Sequence, residues 1–215
     1  MDVTGGLRLR HAHPGDYARV LAVIDEWWDD RPMSARLSHV FFSHFRPTSF
    51  VIETDTELVG FLLGFLSQTR DDEAYIRFVG ARPDFRRLGL GRRLYERYFA
   101  AARMHGRAWV RSITAPGNRV SIAFHLRTGF VLERGDGVVD GVPVRLGYAG
   151  EGGHRVVFHP RVAPDAWPVA PEPYLVAPAS CLDLPVPHLV APASQSVVPA
   201  ACETTLVVSE LTDCA

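Results

Sequence analysis

Hydrophobic and polar positions alternate along the first 158 residues in two rhythms. Leu7 and Leu9, separated by Arg8 and flanked by Arg10, keep the two-residue period of a half-buried strand. Beyond Pro14 and Asp16 the period lengthens: Tyr17, Val20, Leu21 and Ile24 recur at helical spacing behind a proline and an acid. A second helix is predicted over 34–44, where Leu37, Val40 and Phe41 share a face. Residues 49–53 and 58–67 read as strands around the turn-forming Thr54, Asp55 and Thr56, an antiparallel hairpin. Another strand is predicted over 73–81. A helix then runs to about His105, with Leu94, Tyr98 and Ala101 on one side, Tyr95, Phe99 and Ala102 beside them, and Gly106 as its C-cap. The pattern continues with a strand over 109–113, a short helix over 119–128, a return to strand from Phe130, and extended pieces at 142–144 and 155–158. Such interleaving predicts a mixed α/β domain, a central sheet with helices on both faces, and the hairpin excludes a purely parallel sheet.

Composition sets the limits of that domain. Nine of the sixteen prolines lie beyond residue 160, with one arginine there, and the hexapeptide LVAPAS occurs at 175–180 and again at 189–194. We therefore expect a domain over 1–158 and a Pro/Ala-rich, poorly ordered tail over 159–215. The formal net charge of −1 excludes the broad positive field of a dedicated nucleic-acid binder. No apolar run reaches membrane-spanning length, and the N-terminus MDVTGGLRLRH has no signal-like stretch. Three sparse cysteines, Cys181, Cys202 and Cys214, make no disulfide framework, and no cluster has the ligand count of a metal site. The expectation is a cytoplasmic protein, monomer or homodimer, with neither nucleic acid nor membrane as partner.

The arginines concentrate in RPDFRRLGLGRRLYERYF, residues 82–99. The helix there starts near Leu90, so residues 86–91 form the turn leading into it. Its first N–H groups point outward, and the helix dipole adds positive potential. Gly89 and Gly91 admit an oxygen-rich group close to the backbone, and Arg86, Arg87 and Arg92 supply charge, an arrangement suited to a phosphate. From spacing alone a solvated helix face competes evenly with that reading. A Walker loop is excluded for want of GxxxxGK[ST]. A dinucleotide fingerprint is excluded for want of a third glycine and a downstream acid.

Two signatures resolve the choice by likeness. Val79, Ala81, Pro83, Arg86, Gly89 and Gly91 resemble the V-x-V/A-x-P…[QR]-x-x-G-x-[GA] signature of the GCN5-related N-acetyltransferase (GNAT) superfamily. Asn118, Ser121, Phe124, His125, Gly129 and Phe130 resemble its second signature, N-x-x-[AS]-x-x-[FL]-Y-x-x-x-G-F, one helix and one strand later. The likeness covers 5–158. It extends to uncharacterised small acetyltransferases that carry a tryptophan pair before Arg-Pro-Met, as at Trp27, Trp28, Arg31, Pro32 and Met33, and S-I-A-F-H, as at 121–125. The resemblance implies a mostly antiparallel, splayed sheet flanked by helices and acetyl-CoA as cosubstrate, without metal. It implies an enzyme that transfers acetyl directly to a primary amine of a small molecule, in a ternary complex. The alternatives are a weakly catalytic acyl-CoA-binding protein and an enzyme acting on protein or peptide amines. By the same resemblance Val79, Gly80 and Ala81 meet the pantetheine arm, and Arg86 holds the loop. Arg87, Leu88, Gly89, Leu90, Gly91 and Arg92 wrap the pyrophosphate, with Arg87 standing where many members have glycine. Asn118, Ser121, Phe124 and His125 line the cofactor.

The chemistry needs a neutral amine, an oxyanion donor and a proton for the thiolate. His125 occupies the place of a tyrosine taken as the general acid, and either an imidazolium donates the proton or a neutral ring merely packs there. For the base, Tyr75 falls where a glutamate is frequent, and Glu73 shares its face by strand parity, either acting through water or simply solvated. Arg77 lies on the same side, to place an acidic substrate or to approach a cofactor phosphate. Asp25, Trp27, Trp28 and Asp29 join carboxylates to aromatic faces, which favours a small cationic acceptor, although core and solvated readings of the same residues remain open.

Overall fold

The structure, a computed structural model, describes residues 6–159. The predicted tail, apart from His159, and all three cysteines fall outside the described residues. In chain order the elements are β1 (Arg8–His11), α1 (Asp16–Leu21), α2 (Ile24–Trp27), α3 (Val40–Ser43), β2 (Ser49–Glu53), β3 (Leu58–Leu66) and β4 (Glu73–Ala81). They continue with α4 (Leu90–Met104), β5 (Trp109–Thr114), α5 (Arg119–Arg127), β6 (Gly137–Val139), β7 (Val142–Val144) and β8 (Val156–Phe158). One sheet has the order β1-β2-β3-β4-β5-β8, all antiparallel except the β4–β5 pair, and β6 and β7 form a separate hairpin. No helix among the described residues is long and apolar enough to cross a membrane.

Helices cover both faces, so β2 and most of β3 are buried on both sides and read as continuous apolar runs. Phe50, Ile52 and Leu62 pack with Leu94, Tyr95 and Tyr98 of α4, and Ile122 and Phe130 join that cluster. Their neighbours Val51, Phe61 and Leu63 pack on the opposite face with Val20, Ile24 and Phe42. Arg10 fixes the outer edge: its guanidinium bonds Asp16 at 2.7 and 2.8 Å and Glu53 at 2.9 and 2.8 Å. Both carboxylates are buried.

Two irregularities open the middle of the sheet. Leu63 faces Phe78 but Gly64 faces Ile76, so Arg77 is an extra residue on β4, a bulge. It reverses the parity of the strand: Ile76 packs on the α4 face and Phe78 on the other. The Tyr98 hydroxyl, from α4, donates to the carbonyls of Phe65 (3.1 Å) and Tyr75 (2.9 Å) beside the bulge. Residue 64 must be glycine for this, because a Cβ there would lie 2.4 Å from Tyr98 Cε2. The second irregularity is that β4 pairs with β5 only from Glu73 to Ile76, against Trp109 to Ser112, and beyond that the two strands part.

Three sequence expectations need correction. The stretch 34–44 is not one helix but a 3-10 turn, Ser34–Arg36, an extended Leu37 and the four-residue α3. The Asp25 carboxylate accepts from both the N–H and the hydroxyl of Ser34, each at 2.6 Å, and this local bonding competes with helix. The preceding predicted helix is divided into α1 and α2. Phe130 does not begin a strand: its N–H closes the end of α5 on His125 O (3.0 Å), its ring stays in the core, and Leu132 makes a single bridge to Phe158. The sheet edge is filled by β8 instead.

Candidate functional site

Where β4 and β5 part, a cleft of about 360 Å³ opens, large enough for an extended arm and a small molecule. Val79, Gly80 and Ala81 form one wall, and Ser112 and Thr114 belong to the other. It is also lined by Gly91 at the start of α4, by the α5 residues Ser121, Phe124 and His125, and by Trp28, Asp29 and Met33 of the segment after α2. Gly80 is glycine because the Trp28 ring covers it: a Cβ there would lie 2.6 Å from Trp28 Cη2.

At the α4 start, Gly89 adopts φ +77° and Arg87 φ +68°, both left-handed. For a non-glycine residue that conformation costs about 1–2 kcal/mol. Arg86 does not face outward. Its Nη2 donates to Trp27 O at 2.7 Å, tying the turn to α2. A Cβ at Gly91 would meet the Phe124 ring at 3.2 Å, so α4 and α5 approach closely there. Leu90 is buried, Leu88 is exposed, and Arg92 pairs with Glu96 at 2.7 Å. Asn118 caps α5 by accepting the Ser121 N–H at 3.1 Å and lines the cleft.

His125 is 2% exposed. Its Nδ1 lies 2.7 Å from the Ser121 carbonyl, which can only accept, so Nδ1 carries the proton. Its Nε2 is then the acceptor for the Tyr95 hydroxyl at 2.9 Å, with Ser112 Oγ at 3.2 Å. The ring stacks on Phe158, centroids 4.3 Å apart. Burial pulls its pKa down to about 4, only partly opposed by the Ser121 hydrogen bond. The imidazole is therefore neutral at pH 7, and the imidazolium option of the sequence reading does not fit this environment.

The structure separates the other predicted site residues. Glu73 sits at the paired end of β4, held by Arg111 at 3.0 Å and Arg70 at 3.1 Å, and does not line the cleft. Tyr75 stacks on Phe65 (5.1 Å), and burial together with Tyr148 pushes its phenol well up, the wrong direction for a base. Asp25 is occupied by Ser34, whose hydrogen bonds lower its pKa, and it stays out of the cleft. Trp27 lines the cleft but is mostly buried in the core, stacked on Phe61 at 5.7 Å. Trp28, Asp29 and Arg77 do come together on the cleft wall. With them are Arg36 and Arg155, which sequence reasoning missed. Neither stands in a motif, and long-range folding alone brings them to Arg77.

Comparison with known proteins agrees with this geometry. Residues 12–130 match the model of the Acetyltransferase (GNAT) family. A curated relative, the L-2,4-diaminobutyric acid acetyltransferase of Nocardia farcinica (strain IFM 10152), is 27% identical over 125 residues, 57% of this chain. The match spans 63% of that relative's length. Ard1 from Thermoplasma volcanium superposes with a TM-score of 0.60 at 19% identity, covering 74% of this chain and 99% of its own. A diaminobutyrate acetyltransferase from Paenibacillus lautus, solved with L-2,4-diaminobutyric acid and coenzyme A, gives 0.54 at 17%, covering 75% and 99%. The protein yncA from Salmonella typhimurium, solved with acetyl-CoA, gives 0.52 at 20%, covering 77% and 99%. At these identities the structural likenesses speak to the fold, which is the splayed mixed sheet expected from the two signatures. By the match over 12–130, the chain belongs to the acetyltransferase (GNAT) family.

Proposed function

We propose that the protein is an acetyl-CoA-dependent N-acetyltransferase that acts on a primary amine of a small molecule by direct transfer in a ternary complex. The observation that carries this reading is the parting of β4 from β5 over a cleft that ends on the glycine-containing start of α4. The residues present fit acetyl-CoA. Gly89 and Arg87, both left-handed, turn the chain so that the first N–H groups of α4 face outward to a pyrophosphate. Among the described residues β4 has no strand partner on its β5 side beyond Ile76, leaving backbone at Val79 to Ala81 to pair with the amides of the arm. Asn118 spends its oxygen on the helix cap, which leaves its amide nitrogen as the group able to donate to a cleft occupant. Acetyl-CoA, when bound, supplies the activated acetyl thioester. The neutral His125 shapes the cleft wall and holds Tyr95 and Ser112 in place rather than acting as an imidazolium acid. The relative named for diaminobutyric acid supports an amine acceptor.

Calorimetry with acetyl-CoA, followed by CoA release across a panel of amines, tests the proposal. Binding of micromolar order is expected. Gly89→Glu, which sets bulk and negative charge at the pyrophosphate turn, should weaken it by several kcal/mol on folded protein. Unchanged affinity would place the phosphates elsewhere. Binding with no turnover on any amine would make the protein an acyl-CoA-binding protein instead.

A further inference from the structure

The cleft has an unusual charge balance. Arg31, Arg36, Arg77, Arg86 and Arg155 line the cleft, against one carboxylate, Asp29. Arg86 and Arg31 are engaged with the backbone carbonyls of Trp27 and Trp28. The remaining three are set apart from other arginines of the fold by lining one cleft together. Arg10, Arg111 and Arg145 each sit against buried or half-buried carboxylates. Among the described residues, Arg36, Arg77 and Arg155 make no ion pair. Arg77 lies with its guanidinium 4.5 Å above the Phe78 ring, on the α1–α3 face, and Arg155 gives one N–H to the His154 carbonyl at 2.7 Å.

Resting on the acetyltransferase reading, we infer that the acceptor amine carries an anionic group, carboxylate or phosphate, held by Arg36, Arg77 and Arg155 on the α1–α3 side of the cleft. Three elements distant in sequence converge to make this site. Arg36 ends the 3-10 turn locked by Asp25 and Ser34, Arg77 is the bulge residue of β4, and Arg155 leads into β8. The bulge matters most, because the extra residue breaks the alternation of β4 at the point where the cleft begins. Burial lowers the pKa of Arg77 and of Arg155, and Arg36 adds like-charge repulsion to both. Arg77 and Arg155 are half-buried and Arg36 is exposed; like charges so placed repel, and a bound anion relieves the repulsion. Phosphate groups of the cosubstrate are the competing occupant, since Arg86 and Gly91 of the phosphate-suited turn line the same cleft, and the acetyl-CoA affinity of the arginine variants separates the two. Of the residues that suggested a cationic acceptor, Asp25 is out of the cleft, while Trp27, Trp28 and Asp29 line it.

Matched pairs differing only in the anion test the inference: L-2,4-diaminobutyrate against 1,3-diaminopropane, and phosphoethanolamine against ethanolamine. Each is measured by kcat/KM for CoA release and, independently of turnover, by calorimetry on CoA-saturated protein. At least one anionic member should exceed its neutral partner by about tenfold to a hundredfold, the usual worth of a charged hydrogen bond. Which pair shows the preference distinguishes carboxylate from phosphate. Arg155→Gln and Arg77→Gln should collapse that ratio toward one while acetyl-CoA affinity changes far less. Equal binding of both members of both pairs would overturn the inference, as would an equal loss of acetyl-CoA affinity in the two variants. Acetylation of the neutral amines without preference would overturn it while leaving the acetyltransferase reading intact. Anion-selective binding without any turnover would do the reverse.

Discussion

His125 offers a direct measure of whether the cleft wall is as dry as its geometry indicates. The buried ring has a pKa of about 4, against an ordinary value of 6.5. Between those values the unfolded chain takes up a proton at this residue and the folded one does not, so stability falls as pH drops below about 6.5. The full effect of roughly two and a half units is about 3 kcal/mol, reached near and below pH 4; at pH 5 it is about 2 kcal/mol. The chain has nine histidines, so the total pH dependence is not diagnostic. The difference between wild type and His125→Phe is. The variant keeps a flat ring against Phe158 but leaves the fully buried Tyr95 hydroxyl without its nitrogen acceptor, a fixed loss of about 1–3 kcal/mol. Urea denaturation at pH 7.5 and pH 5 should show wild type losing about 2 kcal/mol more than the variant between the two conditions. Parallel losses would refute the reasoning, since they would mean that the folded ring takes a proton as readily as the unfolded one. By the same logic, turnover between pH 6 and 8 should carry no inflection that His125→Phe removes.

Other substitutions probe the same architecture. Gly64→Ala should destabilise by at least about 2 kcal/mol, because its Cβ meets Tyr98 Cε2 at 2.4 Å and the Tyr75 carbonyl at 2.7 Å; a near-neutral urea midpoint would show that Tyr98 can swing away from the bulge. Arg87→Gly should relieve the φ +68° conformation and raise stability by up to about 1 kcal/mol while weakening acetyl-CoA by up to roughly fivefold; a loss of stability would show that the left-handed turn is unstrained. Acid should act at the opposite edge of the sheet. Hydrogen bonds from Arg10 hold Glu53 well below its ordinary range, and although burial raises Asp16, Arg10 and the His13 N–H bring it below its own. Their contribution is present above about pH 4.5 and is lost as pH falls through the lowered values, so Glu53→Gln should flatten the acid limb of a thermal-shift profile below pH 4.

The fold was legible where one period dominates. Strand bounds at β2 and β4 and the span of α4 were legible from their apolar positions, β2 as a continuous run and α4 as one helical face. Prediction failed where side chains bond locally or where long-range packing overrides pattern. Asp25 looked like a ligand carboxylate but serves as the clamp of the Ser34 turn. Phe130 looked like the start of a strand, yet it is taken into the α4–α5 core immediately after Gly129 reverses the chain at φ +82°. The phosphate-suited turn was legible because glycine and helix start are local features. The arginine group was not, because Arg36, Arg77 and Arg155 meet only through three-dimensional folding, and the bulge that sets Arg77 has no single-residue signature. Strand parity placed Glu73 and Tyr75 on one face, but parity says nothing of distance along the strand, and Glu73 stands at the end where β5 is still paired.

Among the described residues no glutamate lines the cleft, which raises the question of how an amine becomes a nucleophile. An alkyl ammonium with an ordinary pKa near 10.4 is about one part in a thousand neutral at pH 7.4. Each unit by which the site lowers that value raises the neutral fraction about tenfold. A carboxylate base would act against this by stabilising the ammonium in the ground state. On the proposed reading the three guanidiniums serve two ends. They hold an acceptor through its anion, and against Asp29 and an acceptor carboxylate they still leave one positive charge in excess where the amine approaches β4. Arg77, placed by the bulge at the point where the strands part, is the nearest of them to the backbone of Val79 by sequence. An ammonium is disfavoured there and a neutral amine is not. On this reading the same bulge, opposite a glycine under the Tyr98 hydroxyl, connects the opening of the cleft, an anionic acceptor and the supply of an amine that has released its proton to solvent.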